Sequence, residues 1–373
     1  MVLGVDADRA AGQPTGVGRN VQYLLQAWAR HPEPFSAVRA FARAPIPDVP
    51  ADGALQVEVS GRRSPGTWWQ ATTLRRMAGV VDVLYGAYTL PPAFRGASVV
   101  QSFGIYEGEY AIPGWRARLH SRHMANSARR ADAVVAVSRT AKDDLVRHYG
   151  IAADKVTVVW PGLDPRFRPG TGEDEDAIAA AVERALGERA PYFLFVGKPS
   201  ARRNLPELLE AFARLRRAGS PTRLLVVGPG TPGALAGAAT DGVSAIEFLD
   251  LDTLAVLYRG ARGFLMPSTR EGFSATILEA MASGCPVLSV SGASMGVFDY
   301  LRESVGEEYR DALLETVGAE TDALASGLAE LDGDADLRRS LGQAGLRCAR
   351  SFPTWDEHAR GVLRVLAEVA SAR

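Results

Sequence analysis

The chain has 373 residues, a length that fits two domains of about 150–200 residues each. Apolar residues make up 47% and charged residues 23%, an ordinary globular balance that excludes a disordered or fibrous protein. The net charge of −1 carries no global sign of nucleic-acid binding, and two cysteines, Cys285 and Cys348, outside any C-x-x-C or Cys/His cluster exclude a disulfide scaffold and a zinc ribbon.

The opening residues, MVLGVDADRA, carry an acid by position 6, and no run of 18 apolar residues follows anywhere. Neither a secretory signal nor a membrane span is expected, which with the low cysteine count reads as a cytoplasmic chain, peripheral at the membrane if attached at all. Short β-branched runs then recur in chain order: VLGV, SVVQ at 98–101, AVVAV at 133–137, KVTVV at 155–159, YFLFVG at 192–197, RLLVVG at 223–228, GFLMP at 263–267 and CPVLSV at 285–290. Each is nearly continuous in its hydrophobicity and bounded by Gly, Pro or Ser, as strands buried on both faces are. Between them lie helical patterns, one entered at Ser138 and stopped by Gly150, another running from Asn204 to a cationic turn before Gly219. The alternation predicts an α/β fold with parallel sheets wrapped by helices.

Residues 160–177, WPGLDPRFRPGTGEDEDA, hold three prolines and no apolar periodicity, and predict a semi-rigid hinge near 160–172. The expected domains are residues 1–165 and 173–350, with a final amphipathic helix over 354–373 whose stripe of Val362, Val365, Leu366 and Val369 packs back on the first domain.

Two segments carry candidate chemistry. In YFLFVGKPSARRNLPELLEAF a strand ends at Gly197, a loop holds Lys198, Arg202 and Arg203, and a helix starts near Asn204. Cations at the carboxyl end of a parallel strand, beside a helix N-terminus, suit a diphosphate; a basic loop also arises simply because loops are solvated. In GFLMPSTREGFSATILEAMASGCPVLSV a helix is expected from about Ser274 to Ser283. Glu271 in the preceding loop and Glu279 on the helix could reach different parts of one long ligand. Glu279 sits in an otherwise small and apolar stretch and needs a partner, unless it lies on the solvent stripe.

The residues EGFSATILE match the E-x7-E pattern of retaining glycosyltransferases. Their flanks PSTREGF and LEAMASGCPV, with VGKPSARRNLPELLEAF, TGVGRN at 15–20 and RADAVVAVSRTAKDDLVRHYGIAADKVTVVWPGLDPRF, resemble glycosyltransferase family 4 in order over roughly residues 1–290. The resemblance implies the GT-B architecture, two Rossmann-like domains facing a central cleft, and a retaining hexosyltransferase that takes a sugar from a nucleotide-sugar donor to an acceptor hydroxyl. It assigns Lys198 and Arg203 to the donor diphosphate and Glu279 to the ribose hydroxyls. Glu271 would face the transferred sugar, beside the N–H groups of Gly272, Phe273 and Ser274. Gly16 and Gly18 would let backbone of the first domain approach the donor. Lys198, Arg203 and Glu271 form the expected catalytic set.

Three features depart from the family pattern. Gln101 and Ser102 stand where many relatives have a His-Asp pair, residues 291–318 read as helical instead of a proline loop and a Gly-Asp-Ala turn, and GFS replaces the commoner GFG. Scattered D-x-D triplets, at Asp6/Asp8, Asp250/Asp252, Asp332/Asp334 and Asp334/Asp336, are cheap matches, so neither metal nor cofactor is expected. The basic stretch 116–130 reads as a solvated helix face or as a surface for anionic lipid or an anionic acceptor. Trp68 and Trp69 read as helix packing. The alternatives kept open are a nucleotide-sugar epimerase of GT-B fold and a non-catalytic binding protein. The base and sugar of the donor, the acceptor, the linkage and the oligomeric state are not encoded in these motifs.

Overall fold

The structure, a computed structural model, describes residues 1–13, 16–50, 53–61, 66–104, 114–236 and 241–372, with the side chain of Arg116 outside the description. It divides into two units, Met1–Gly162 together with Pro353–Arg373, and Leu163–Phe352. The chain runs β1 (Val2–Asp6), α1 (Gly16–Arg30), β2 (Ala37–Ala42), β3 (Leu55–Val59), α2 (Gly66–Trp69), a π turn (Gln70–Leu74), α3 (Arg75–Met77), β4 (Val83–Ala87), β5 (Ala97–Ser102), α4 (Trp115–Arg130), β6 (Ala133–Ala136), α5 (Arg139–Tyr149) and β7 (Val156–Val158). The second unit adds α6 (Glu175–Leu186), β8 (Tyr192–Val196), α7 (Leu205–Arg217), β9 (Arg223–Val227), α8 (Thr231–Leu235), β10 (Val243–Ile246), α9 (Leu251–Gly260), β11 (Gly263–Met266), β12 (Arg270–Glu271), α10 (Ala275–Ala282), β13 (Val287–Val290), β14 (Ser294–Met295), α11 (Gly296–Val305), β15 (Leu313–Thr316), α12 (Thr321–Gly333) and α13 (Ala335–Ala349). Helix α14 (Trp355–Ser371) returns to the first unit.

In the first unit the described strands form a seven-stranded parallel sheet, ordered β3-β2-β1-β4-β5-β6-β7. One face buries Leu3, Val5 and Val99 under Val21 and Leu24 of α1 and Val362 and Leu366 of α14. The other face turns Phe41 toward Trp69 and Leu74, and Leu84 and Val100 toward Ala78 and Ala131. Strand β2 was not among the apolar runs because Arg39 interrupts it; its Nε donates to Glu58 on β3 at 2.7 Å. Helix α5 begins and ends as expected: Ser138 Oγ accepts from Ala141 N at 2.9 Å, and Gly150 closes it at φ 63°.

The second unit holds a six-stranded parallel sheet, ordered β10-β9-β8-β11-β13-β15, and a two-residue ladder of β12 with β14. Two expectations need correction. Residues 163–172, read as hinge, belong to this unit: Phe167 is buried with its ring 5.7 Å from that of Tyr258, and Arg259 donates to the carbonyls of Arg166 and Arg168 at 2.8 and 3.1 Å. Residues 291–318, read as helical, are helical only in α11 and a following 3-10 turn; β14 and β15 flank them. Trp68 and Trp69 also part company, since Trp69 is buried and Trp68 is 67% exposed.

Candidate functional site

Strands β8 and β11 are neighbours, yet the chain leaves them in opposite directions across the sheet, through β9 and β10 on one side and β13 and β15 on the other. The carboxyl ends of such a pair form a topological switch point, where open α/β sheets bind ligands. The two loops that leave this point are the two segments singled out in the sequence. They are stitched together by one backbone and one side-chain bond: Thr269 N donates to Arg202 O at 3.0 Å, and Asn204 Nδ2 donates to Pro267 O at 2.7 Å.

Glu271 lies at the centre, its side chain 6% exposed. Its Oε1 accepts from Arg203 Nε at 2.8 Å, from Ser268 Oγ at 3.2 Å and from Arg202 Nη1. Burial pushes this carboxyl up, but Arg203 and then Arg202 outweigh it and hold it below the ordinary carboxylate range. All three donors converge on Oε1, so Oε2 has no partner among the described residues. Arg203 also reaches back to Lys198 O, at 3.2 Å from Nη1. It lies so close over Gly197 that a Cβ there would fall 2.0 Å from Nη1, so a side chain at this position would displace the guanidinium. The Lys198 ammonium is exposed and has no ion pair among the described residues.

After β12 the chain turns through Gly272, Phe273 and Ser274 into α10. Ser274 holds φ 80° and ψ 66°, a left-handed conformation that favours glycine, so the GFS variant stores backbone strain beside Glu271. Phe273 is buried against Phe352, and its carbonyl accepts from Val297 N at 2.8 Å. The N–H groups of Phe273 and Ser274 find no acceptor among the described residues. Glu279, half-buried on α10, accepts from Tyr258 Oη at 3.3 Å, so it is not a freely solvated surface carboxylate. The second unit therefore gathers Lys198, Arg203, Glu271 and the 272–274 turn at one strand pair and sets Glu279 on the helix that follows. Arg202 was not singled out for a role; the Arg-Arg doublet was its signal.

A family model described as Glycosyltransferase Family 4 matches residues 14–167, and one described as Glycosyl transferases group 1 matches residues 190–334. The chain belongs to glycosyltransferase family 4. A D-inositol 3-phosphate glycosyltransferase of Salinispora arenicola is 33% identical over 259 residues, 65% of this chain and 56% of that protein. The Nocardia farcinica protein of the same name is 32% identical over 301 residues, 76% of this chain and 60% of its own length. The match thus spans less than two thirds of these relatives. Among solved structures, sucrose-phosphate synthase from Thermosynechococcus elongatus covers 100% of both chains with a TM-score of 0.75 at 17% identity. Anabaena HepE in complex with UDP and glucose covers 98% of this chain and 99% of its own, with a TM-score of 0.74 at 16% identity. These likenesses establish the fold, the two-domain GT-B architecture.

In the first unit of this family-4 chain, Gly16 and Gly18 occupy the first turn of α1, and space beside Gly16 is open to 4 Å; Thr15 of the same motif lies outside the described residues. Gln101, at the end of β5, is fully buried: its Oε1 accepts from Tyr85 Oη at 2.5 Å, and its Nε2 lies 3.3 Å from His358 Nε2. His358 Nδ1 donates to Trp160 O at 2.8 Å, so Nε2 is the acceptor, also facing Asn20 Nδ2 at 3.3 Å. Burial lowers His358 to about 4, and the imidazole stays neutral. A histidine does stand beside the Gln101 position, supplied by α14 and invisible in the local motif. The D-x-D acids have structural work: Asp8 pairs with Arg43, Asp250 and Asp334 cap α9 and α13, and Asp332 accepts from Thr222, Ser220 and Arg262.

Proposed function

We propose that this chain is a retaining glycosyltransferase that moves a hexose-type sugar from a nucleotide-sugar donor to an acceptor hydroxyl. The observation that carries the reading is the convergence of Lys198, Arg203 and Glu271 at the β8/β11 switch point, with Glu279 on the next helix. Lys198, which has no ion pair among the described residues, and Arg203 would neutralise the diphosphate and the charge that grows on it as the sugar departs. The N–H groups of Phe273 and Ser274, which find no acceptor among the described residues, would add backbone dipoles toward the diphosphate. Glu271 Oε2, the oxygen left open, would accept a hydroxyl of the transferred sugar, and Glu279 would hold the ribose. The departing phosphate would help deprotonate the acceptor, giving front-face transfer with retention.

The cationic pair supplies the charge that a metal ion would otherwise bring, so the reaction is read as metal-independent. The relatives named for D-inositol 3-phosphate make a phosphorylated polyol the first acceptor class to test. The test of donor use is a thermal-shift screen against UDP-, GDP-, ADP- and TDP-sugars. A ligand at a hundred times its dissociation constant should stabilise by about 2.7 kcal/mol. One donor should shift the wild type and shift Glu279→Ala less at the same concentration; a flat response to every donor would remove the reading.

A further inference from the structure

The face of the first unit formed by α2, α3 and α4 carries features that donor chemistry does not use. In a parallel sheet each helix following a strand starts at the carboxyl edge, so α2 after β3 and α4 after β5 begin at the same edge. They lie in the same layer: Trp69 and Leu74 pack on Phe41, and Ala78 and Ala131 share one cluster with Leu84 and Val100. At that edge each helix turns a tryptophan outward, Trp68 at 67% and Trp115 at 68% exposure. Leu119, one turn on from Trp115, is also exposed.

The charge on this layer is of one sign. Residues 66–80 and 114–131 contain seven arginines and no Asp or Glu, in a chain whose net charge is −1. Arg129 and Arg130 are tied to backbone carbonyls of Tyr149 and Asn126. Arg75, Arg76, Arg118 and Arg122 are exposed and hold no ion pair among the described residues. Solvent-exposed indole rings beside arginines that hold no ion pair among the described residues are the groups that settle at the headgroup level of a membrane. No described helix is long and apolar enough to cross one.

We propose that the α2–α4 layer docks on the surface of an anionic lipid bilayer, with Trp68 and Trp115 inserted at the interface and Arg75, Arg76, Arg118 and Arg122 over the headgroups. Charge complementarity selects lipid phosphates, and the paired indoles separate this surface from a purely electrostatic polyanion site. The docking stands apart from glycosyl transfer, so its test uses no sugar.

The full chain is floated with vesicles of phosphatidylcholine alone and of phosphatidylcholine mixed with phosphatidylglycerol, at low and at high salt. Binding is expected only to the mixed vesicles and should weaken as salt rises. Each arginine near an anionic surface is worth about fivefold, so Arg118→Glu with Arg122→Glu should cost at least about 25-fold. Trp68→Ala with Trp115→Ala should cost about tenfold or more while keeping the salt dependence. Arg118→Lys with Arg122→Lys retains charge and should bind as wild type; should the Glu pair fail to fold by circular dichroism, Arg118→Gln with Arg122→Gln replaces it. Absence of wild-type binding to the mixed vesicles would overturn the proposal. So would binding indifferent to the tryptophans and competed equally by duplex DNA.

Discussion

Arg202→Met removes one of three donors on Glu271 Oε1 and leaves Arg203 and Ser268 in place. The two side chains are 13% and 6% exposed, so the lost bond is a charged one in a nearly dry setting. Its loss should cost about 1.5–3 kcal/mol of stability. The larger penalty of a broken buried ion pair, about 3–5 kcal/mol, is not expected because Arg203 keeps the carboxylate paired. The functional consequence is sharper. With Arg202 gone, drawing Arg203 toward a diphosphate strands Glu271, so nucleoside diphosphate affinity should fall by about tenfold, near 1.4 kcal/mol. Affinity for the nucleoside monophosphate, which asks less of Arg203, should change less. The pH dependence follows from the sign of the shift. Glu271 is held below its ordinary 4.5, so its contribution is full above that value and lost as pH falls through the folded one. Arg202→Met narrows that gap, and less stability should be lost on acidification. Denaturant unfolding between neutral and acid pH and calorimetric titration with both nucleotides read these effects. Unchanged unfolding together with an unchanged diphosphate preference would refute the clamp.

If Glu279 holds the ribose as proposed, that contact would exist before and during the reaction, so Glu279→Ala should mainly weaken donor affinity, by about 1.5–3 kcal/mol. Arg203→Ala should lower turnover even at saturating donor, and equal, purely turnover effects from both variants would contradict the assigned roles. Transfer should survive EDTA; activity lost in EDTA and restored by magnesium or manganese would replace the cationic account. His358, depressed from 6.5 to about 4 by burial, contributes stability that is full above 6.5 and lost as pH falls toward 4, about 3 kcal/mol in all. Asp6, raised by burial from 3.8 to about 6, acts with the opposite sign, so His358→Gln is compared with wild type over this range; an identical slope would mean that the histidine is not held neutral.

Strands β8 and β11 and helices α7 and α10 were legible because each is a continuous apolar run or amphipathic stretch closed by Gly, Pro or a cap. Strand β2 was not, since Arg39 breaks its run, and the cross-strand partner Glu58 that pairs with it lies outside that run. The stretch 163–172 has linker composition, and the packing of Phe167 on Tyr258 that fixes it to the second unit leaves no local trace. At the site, motif spacing named Glu271 and Arg203, whereas the sharing of one carboxylate oxygen by two arginines depends on loops brought together from different strands. The contact of His358 with Gln101 spans 257 residues and could not be read from either neighbourhood.

The central claim is transfer of a sugar from a nucleotide donor, and proton NMR of the anomeric signals tests it most directly. The purified chain is incubated with the donor that shifts its melting most, with and without a phosphorylated polyol. The account predicts a new glycoside of unchanged anomeric configuration, formed only with acceptor, together with one nucleoside diphosphate per glycoside, and slower formation of both by Arg203→Ala. A donor that binds but stays intact with every acceptor class, or a sugar epimerised without any acceptor, would contradict it.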